Sequence, residues 1–272
     1  MKINPIKLGY VKYVTRSKTR TEDNNQDSGM CGETSHARYI AVADGVGSAK
    51  NSKIASSRLV SIFEKGIVDR GTQEVHLLHE PQFIKKFYEL AVSEIGEALI
   101  QNKLPPNSAA TTFIGIIETE NRYLVTYLAD GSIYRIMQSK DGEKFVAHSL
   151  LRTVNSVTSP DTPEQISAKG GSEEPQIFTY TQNLRGDMWI IATDGINDFN
   201  PDVDKHIQTE KVVQNLADEI WRTFKNNPHE FEDSLGKLLE RWLKRCQTTD
   251  DATLAVLISG NMREHWVKFV GQ

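Results

Sequence analysis

Short apolar runs broken by turn residues dominate the chain, and their period changes along it. Residues 6–15 alternate weakly and predict a strand, whereas 16–36 are polar, rich in Thr, Asn, Asp and Gly, and predict a loop. RYIAVA (38–43) is apolar almost throughout, the pattern of a buried strand. After a turn with glycines the spacing becomes helical, in IASSRLVSIFEKGI (54–67) and PQFIKKFYELAVSEIGEALI (81–100). In the second of these Pro81 suits the first turn, and Phe83, Phe87, Leu90 or Ala91, and Ile95 recur on one face. Strand patterns return at 111–117, 122–129, 132–137 and 144–149, separated by turn residues as in an antiparallel meander. Residues 152–174 are polar, with two prolines and a Gly-Gly pair, and predict a surface flap. Strands at 176–181 and 188–193, helices at 210–224 and 229–246, and strands at 253–259 and 265–271 complete the pattern.

Strands and helices are grouped and do not alternate one for one. That excludes a doubly wound parallel sheet and predicts an α+β fold, a β-sandwich flanked by helices. No repeat or linker divides residues 1–272, so a single domain is expected. Composition agrees: 38% hydrophobic and 25% charged residues exclude a disordered or fibrous chain. Lys+Arg 32 against Asp+Glu 36 gives a net charge of −4, without the basic excess of a general nucleic-acid binder. Cys31 and Cys246 lie too far apart in sequence for a CxxC pair and make no disulfide framework, as expected of a reducing compartment. The N-terminus lacks the apolar core of a secretory signal, and no apolar stretch reaches the ~18–20 residues of a membrane span. A cytoplasmic protein without direct membrane insertion is expected.

Candidate chemistry lies at the strand ends. Three apolar runs end in Asp-Gly: Asp44-Gly45, Asp130-Gly131 and Asp194-Gly195. Asp250-Asp251 directly precede a fourth run, and Asp27 sits in the polar N-terminal loop. Asp-Gly is also the commonest hairpin pair, and Asp141-Gly142 reads as no more than that. Asp130-Gly131 fits either reading, whereas Asp44 and Asp194 are followed by helix or irregular chain and fit a hairpin less well. Several carboxylates gathered at one end of a sandwich repel unless a cation lies between them. Oxygen ligands without His or Cys suit Mg²⁺ or Mn²⁺. The seven histidines form no HExxH or other close metal pair, and His148 reads as structural. GVGSAKNSK lacks P-loop spacing, and there is no GxSxG elbow.

NNQDS (24–28), ADGVGS (43–48), AATT (109–112), LADGSIYR (128–135), ATDGINDF (192–199) and DDATLAVL (250–257) stand in the order and spacing of one family. The chain resembles the PPM-type, or type 2C, metal-dependent serine/threonine protein phosphatases, in their bacterial branch. The resemblance implies a four-layer α-β-β-α sandwich, two antiparallel sheets flanked by helices. It also implies two Mn²⁺ or Mg²⁺ ions, bridged by Asp44 and held further by the Gly45 carbonyl, Asp194 and Asp250. Asp27 would lie in or beside that ligand shell and hold water, and Asp130 and Asp198 match a weaker third site. The implied reaction is hydrolysis of phosphoserine or phosphothreonine in a phosphoprotein, with a Ser/Thr kinase as the natural opponent.

Three positions depart from the family pattern. The phosphate-binding arginine is expected four residues before Gln26, where Glu22 stands; Arg20 would serve across a short insertion, with Lys18 or Arg16 as alternatives. Gln26 replaces a frequent glutamate, and Val46 stands where some members carry a histidine acid. An active enzyme is expected, against the alternative of a pseudo-phosphatase acting as a regulatory binding module. A haloacid-dehalogenase-like enzyme would need a DxDx[TV] nucleophile, which this chain lacks.

Overall fold

The computed structural model describes residues 6–17, 25–70, 77–78, 80–128, 130–139, 144–151, 166–171, 174–194, 205–245 and 250–271. One five-stranded antiparallel sheet has the order β1 (Tyr10–Arg16), β13 (Ala252–Ile258), β12 (Met188–Ala192), β7 (Ser132–Gln138), β8 (Phe145–Leu151). The other runs β11 (Gln176–Thr181), β6 (Arg122–Leu128), β5 (Phe113–Glu118), β3 (Arg38–Ala43), β2 (Ser28–Glu33). A small third sheet joins β10 (Gly170–Gly171), β9 (Ile166–Ser167) and β4 (Ala110–Thr111). Helices α1 (Ser52–Arg70) and α2 (Pro81–Gln101) cover the β2–β11 sheet, while α3 (Lys205–Asn226), α4 (Phe231–Arg245) and α5 (Gly260–Val270) cover the other. The order of layers is helix, sheet, sheet, helix.

Three apolar layers result, which explains why the central strands read as unbroken apolar runs. On β3, Tyr39, Ala41 and Ala43 point to the helices while Ile40 and Val42 enter the inter-sheet core. On β12, Trp189 and Ile191 meet them there, and Met188, Ile190 and Ala192 face α3 and α4. Phe63, Phe87 and Phe113 pack edge-on or tilted at 5.2–5.3 Å under α1 and α2. Trp221, Phe224, Phe231 and Trp266 form a second ring cluster on the opposite side, with centroids 5.0–6.3 Å apart.

Several local expectations are corrected. The polar segment 16–36 contains β2, which pairs with β3 from Ser28↔Ala43 to Glu33↔Arg38. Its glycines concealed the strand, and they are needed: a Cβ at Gly29 would come within 2.7 Å of Thr253 and 2.8 Å of Tyr13. Residues 265–271 alternate like a strand yet continue helix α5. Ser259 caps that helix by accepting the Met262 N–H at 3.3 Å, and Met262 and Trp266, four residues apart, are fully buried. The run 111–117 breaks at Thr112. On α2, Ala91 is buried and Leu90 is 48% exposed, which settles the face. Asp130-Gly131 is no hairpin: β6 and β7 belong to different sheets, so it is the crossing between them, with Gly131 at φ +135°. The expected flap at 152–174 lies outside the described residues from 152 to 165 and at 172–173; between them β9 pairs with β4, Ala110↔Ser167. Among the described residues no helix is long and apolar enough to cross a membrane.

Candidate active site

The pairing of antiparallel strands brings the strand-end carboxylates to one end of the sandwich. Asp27 immediately precedes β2 and Asp44 follows β3, neighbours through the Ser28↔Ala43 pair. Asp194 follows β12, while Asp250 and Asp251 precede β13, neighbours through Ala192↔Leu254. The two sheets are joined here by Thr193, whose hydroxyl donates to Asp27 Oδ2 at 2.8 Å and accepts the Thr253 N–H at 2.9 Å. The Gln26 N–H donates to Asp251 Oδ2 at 2.7 Å, a second tie between sheets.

Asp27, Asp44 and Asp194 therefore meet. Asp44 shares side-chain hydrogen bonds with both Asp27 and Asp194. Burial, then the charges of Asp27 and Asp194, push the Asp44 carboxyl well above the usual carboxylate range. Burial likewise pushes Asp27 up to about 6, against the hydrogen bond from Thr193. Asp130 stands at the rim, where desolvation and the charge of Asp194 raise it too. Asp250 is exposed and accepts the Asp251 N–H at 2.8 Å. Arg20 and Asp198 lie outside the described residues. Of the three basic candidates for phosphate, Arg16 is described: its guanidinium donates to the Leu243 and Lys244 carbonyls at the end of α4, at 3.1 and 3.4 Å.

The turn carrying Asp44 and Gly45 is held from several sides. Thr111 Oγ1 and the Thr112 N–H both donate to the Asp44 carbonyl, at 2.7 and 2.9 Å, and the Val46 N–H donates to Ala110 at 3.0 Å. Gly45 has no room for a side chain: a Cβ would lie 2.6 Å from the Gln26 carbonyl oxygen, 2.8 Å from Gln26 Cβ and 2.9 Å from Ser52 Cβ. Gly45→Ala should push Gln26 and Asp27 away from Asp44. We expect a stability loss of about 1–3 kcal/mol in urea unfolding, with turnover falling more than the folded fraction does.

Sequence reasoning overlooked Lys53, in the first turn of α1. Its ammonium donates to the Asp27 carbonyl at 2.6 Å and to Ser28 Oγ at 3.3 Å, within the field of Asp27 and Asp251. Thr193 was overlooked as well. A lysine six residues past the last glycine of a turn has no spacing signature, but Thr193 directly precedes Asp194 and faces the other sheet by strand alternation.

Among the described residues no group of three or more His, Cys, Asp or Glu side chains is spread as a formed ion site. The three carboxyls are closed on one another, with Asp44 hydrogen-bonded to both neighbours. The residues nevertheless fit hard divalent cations. Asp27 Oδ1 is buried and has no hydrogen-bond partner, and raised carboxyls gain when a cation replaces their protons. The donor set is oxygen alone, which suits Mg²⁺ or Mn²⁺.

Known proteins match this picture. Stp1 from Staphylococcus aureus, a serine/threonine phosphatase, superposes with a TM-score of 0.67 at 13% identity, over 95% of this chain and 98% of its own. The serine/threonine phosphatase PstP/Ppp of Mycobacterium tuberculosis gives 0.58 at 17%, over 93% and 99%. The catalytic domain of PstP in complex with two manganese ions gives 0.61 at 19%, over 92% and 99%. At such identities the likeness shows the fold alone. No curated protein sequence matches the chain. The family model described as protein phosphatase 2C matches residues 14–244, most of the sequence. With the sandwich and its strand-end carboxylates in agreement, the chain belongs to the protein phosphatase 2C family.

Proposed function

We propose that the protein is a metal-dependent phosphatase that hydrolyses phosphoserine and phosphothreonine in proteins. The observation that carries this reading is the meeting of Asp27, Asp44 and Asp194, drawn from both sheets, at one end of a 2C fold. Asp44, the Gly45 carbonyl, Asp194 and Asp250 would hold two Mn²⁺ or Mg²⁺ ions, with Asp27 beside them and Asp130 and Asp198 available to a third. Bound there, the ions supply an acidified water as nucleophile and positive charge for the phosphoryl oxygens.

The chain's own residues do the positioning. Asp27 is fixed by Thr193 at Oδ2 and by Asn25, whose Oδ1 accepts the Asp27 N–H at 2.9 Å, so its unpartnered Oδ1 is aimed as an acceptor for the attacking water's proton. Lys53 places a cation beside Asp27, where it offsets negative charge on a bound phosphate. Arg20 keeps the phosphate-binding role that the family pattern suggests. No cysteine nucleophile is required, consistent with burial pushing the Cys31 thiol up from its ordinary value. The substrate would be a phosphoprotein and the opposing enzyme a Ser/Thr kinase, in the cytoplasm.

The test is hydrolysis of p-nitrophenyl phosphate and of a phosphothreonine peptide with Mn²⁺, with Mg²⁺ and with a chelator. We expect turnover with metal and its loss on chelation, restored by adding Mn²⁺ back. Tight Mn²⁺ binding without turnover would instead favour a regulatory pseudo-phosphatase.

A further inference from the structure

A cleft of about 1000 Å³ opens beside the carboxylate centre, between the edge strand of each sheet. Its floor includes Cys31 of β2 and residues 12–16 of β1, and one wall is the last turn of α4. Among the described residues four cationic side chains line it, Lys12, Arg16, Lys53 and Lys244, against one carboxylate, Glu240. This is a local reversal of sign in a chain whose net charge is −4. The basic side chains come from three different elements, β1, α1 and α4, so the cleft is not the solvated face of one helix. Lys12 is held in place by its stem, which lies so close to α4 that a Cβ at Gly236 would come within 2.8 Å of its Cε. Arg16 closes the helix end by its bonds to the α4 carbonyls. Asn25 and Lys53 belong both to the cleft lining and to the surroundings of Asp27, so cleft and centre are continuous.

We infer that this cleft is a substrate-docking groove that selects phosphoproteins with acidic residues flanking the phosphorylated Ser or Thr. The inference rests on the phosphatase reading and names its substrate class. A segment whose phosphate enters beside Asp27 and Lys53 lays its neighbouring residues along Lys12, Arg16 and Lys244, where carboxylates find charge complementarity. Carboxylates are also what the carboxylate-rich centre itself repels, so the groove separates the sites for flanking charge and for phosphate. Among the described residues Tyr13 is the one aromatic side chain lining the cleft, too little for base stacking, which favours an acidic peptide over a single-stranded nucleic acid.

The test uses the full chain with Mn²⁺ and three phosphothreonine peptides differing only in acidic, neutral or basic flanks, beside p-nitrophenyl phosphate, which has no flanks. A labelled unphosphorylated hexaglutamate peptide read by fluorescence anisotropy reports on the groove without turnover. We expect the acidic peptide to have a KM about tenfold below the basic one, a preference that shrinks between 50 and 200 mM salt. Lys12→Glu with Lys244→Glu should remove the preference and the anisotropy signal while p-nitrophenyl phosphate turnover persists. Equal KM values for all three wild-type peptides, or an acidic preference that survives the double charge reversal, would overturn the inference. Absence of turnover on every substrate would defeat the phosphatase reading instead, and the anisotropy arm would still decide the groove: retained binding lost on charge reversal supports it, and no binding or unchanged binding overturns it.

Discussion

Asp44→Asn should abolish turnover and at the same time make the metal-free protein more stable. The two effects have one cause. Asp44 joins the other carboxyls of the centre, and under the proposed function it is the ligand that the ions share, so several kcal/mol of transition-state stabilisation should go with it, about 10³-fold or more in kcat. Without ions, however, the Asp44 carboxyl is a liability, pushed up by burial and by Asp27 and Asp194. An amide keeps the hydrogen bonds without the charge. In a domain of this size each ~1 kcal/mol recovered raises Tm by roughly 2–4 °C. The sign of the pH dependence follows from Asp27, raised from 3.8 to about 6. The folded state binds its proton more tightly than the unfolded state, so stability is highest below pH 4 as far as this group is concerned and falls as pH rises to 6 and beyond. Chelated wild type should show that decline, Mn²⁺ should oppose it, and Asp44→Asn should remove only the share that Asp44's own raised carboxyl adds. Thermal melts at pH 4.5 and 7.5, with and without chelator, measure all three. A variant less stable than wild type in chelator at pH 7.5 would mean that the three carboxyls do not strain the fold.

At the opposite end of the sandwich, Arg38→Met should unfold the protein far more readily while leaving the turnover of folded molecules intact. Arg38 opens β3 and is fully buried. Its guanidinium donates to Glu118 of β5, to Glu33 at 2.8 Å and to the Lys7 carbonyl at 2.6 Å. Glu118 is equally buried; burial pushes it up to about 7 and Arg38 resists that rise. Removing the arginine strands a buried carboxylate, which costs about 3–5 kcal/mol, a large share of a typical 5–15 kcal/mol stability. Arg38 is six residues from Asp44 along an extended strand, about 20 Å, so the active end should not sense the change. Urea midpoints give the loss, and kcat per folded molecule tests the separation. Adding Glu118→Gln should recover part of the stability, because the stranded charge is then gone. A loss below about 1 kcal/mol would show that water reaches Glu118.

The contrast between the two ends also explains what the sequence could and could not reveal. The central strands β3, β5, β12 and β13 were legible because both faces are buried and the apolar run cannot be interrupted. The Asp-Gly strand ends were legible because a rigid strand followed by a glycine turn leaves a local mark. Where the information is non-local it was lost. β2 looks like loop until Gly29 is seen beneath Tyr13 and Thr253. Helix α5 reads as a strand because its alternation is decided by a cap at Ser259 and by the burial of Trp266. Thr193 joins the site only through the packing of one sheet on the other, and Lys53 only through the packing of α1 on β2. The buried Arg38–Glu118 pair, eighty residues apart, has no sequence signature at all.

The position of β13 between β1 and β12 bears on how the protein is made. The β2–β11 sheet and helices α1 and α2 draw on residues up to 181, so that half can assemble while the remainder is still being synthesised. The other sheet cannot: β1 pairs with β13 alone, Tyr10↔Ile258 to Arg16↔Ala252. At roughly 5–20 residues per second, the first strand waits many seconds on the ribosome for β13 to be made. Asp250 is made directly before that partner, so under the proposed function the set of ligands is complete only once β13 is being synthesised. A ribosome stalled before residue 250 would therefore carry a half-built sandwich that lacks Asp250 and β13, and with them the centre on which the proposed activity rests.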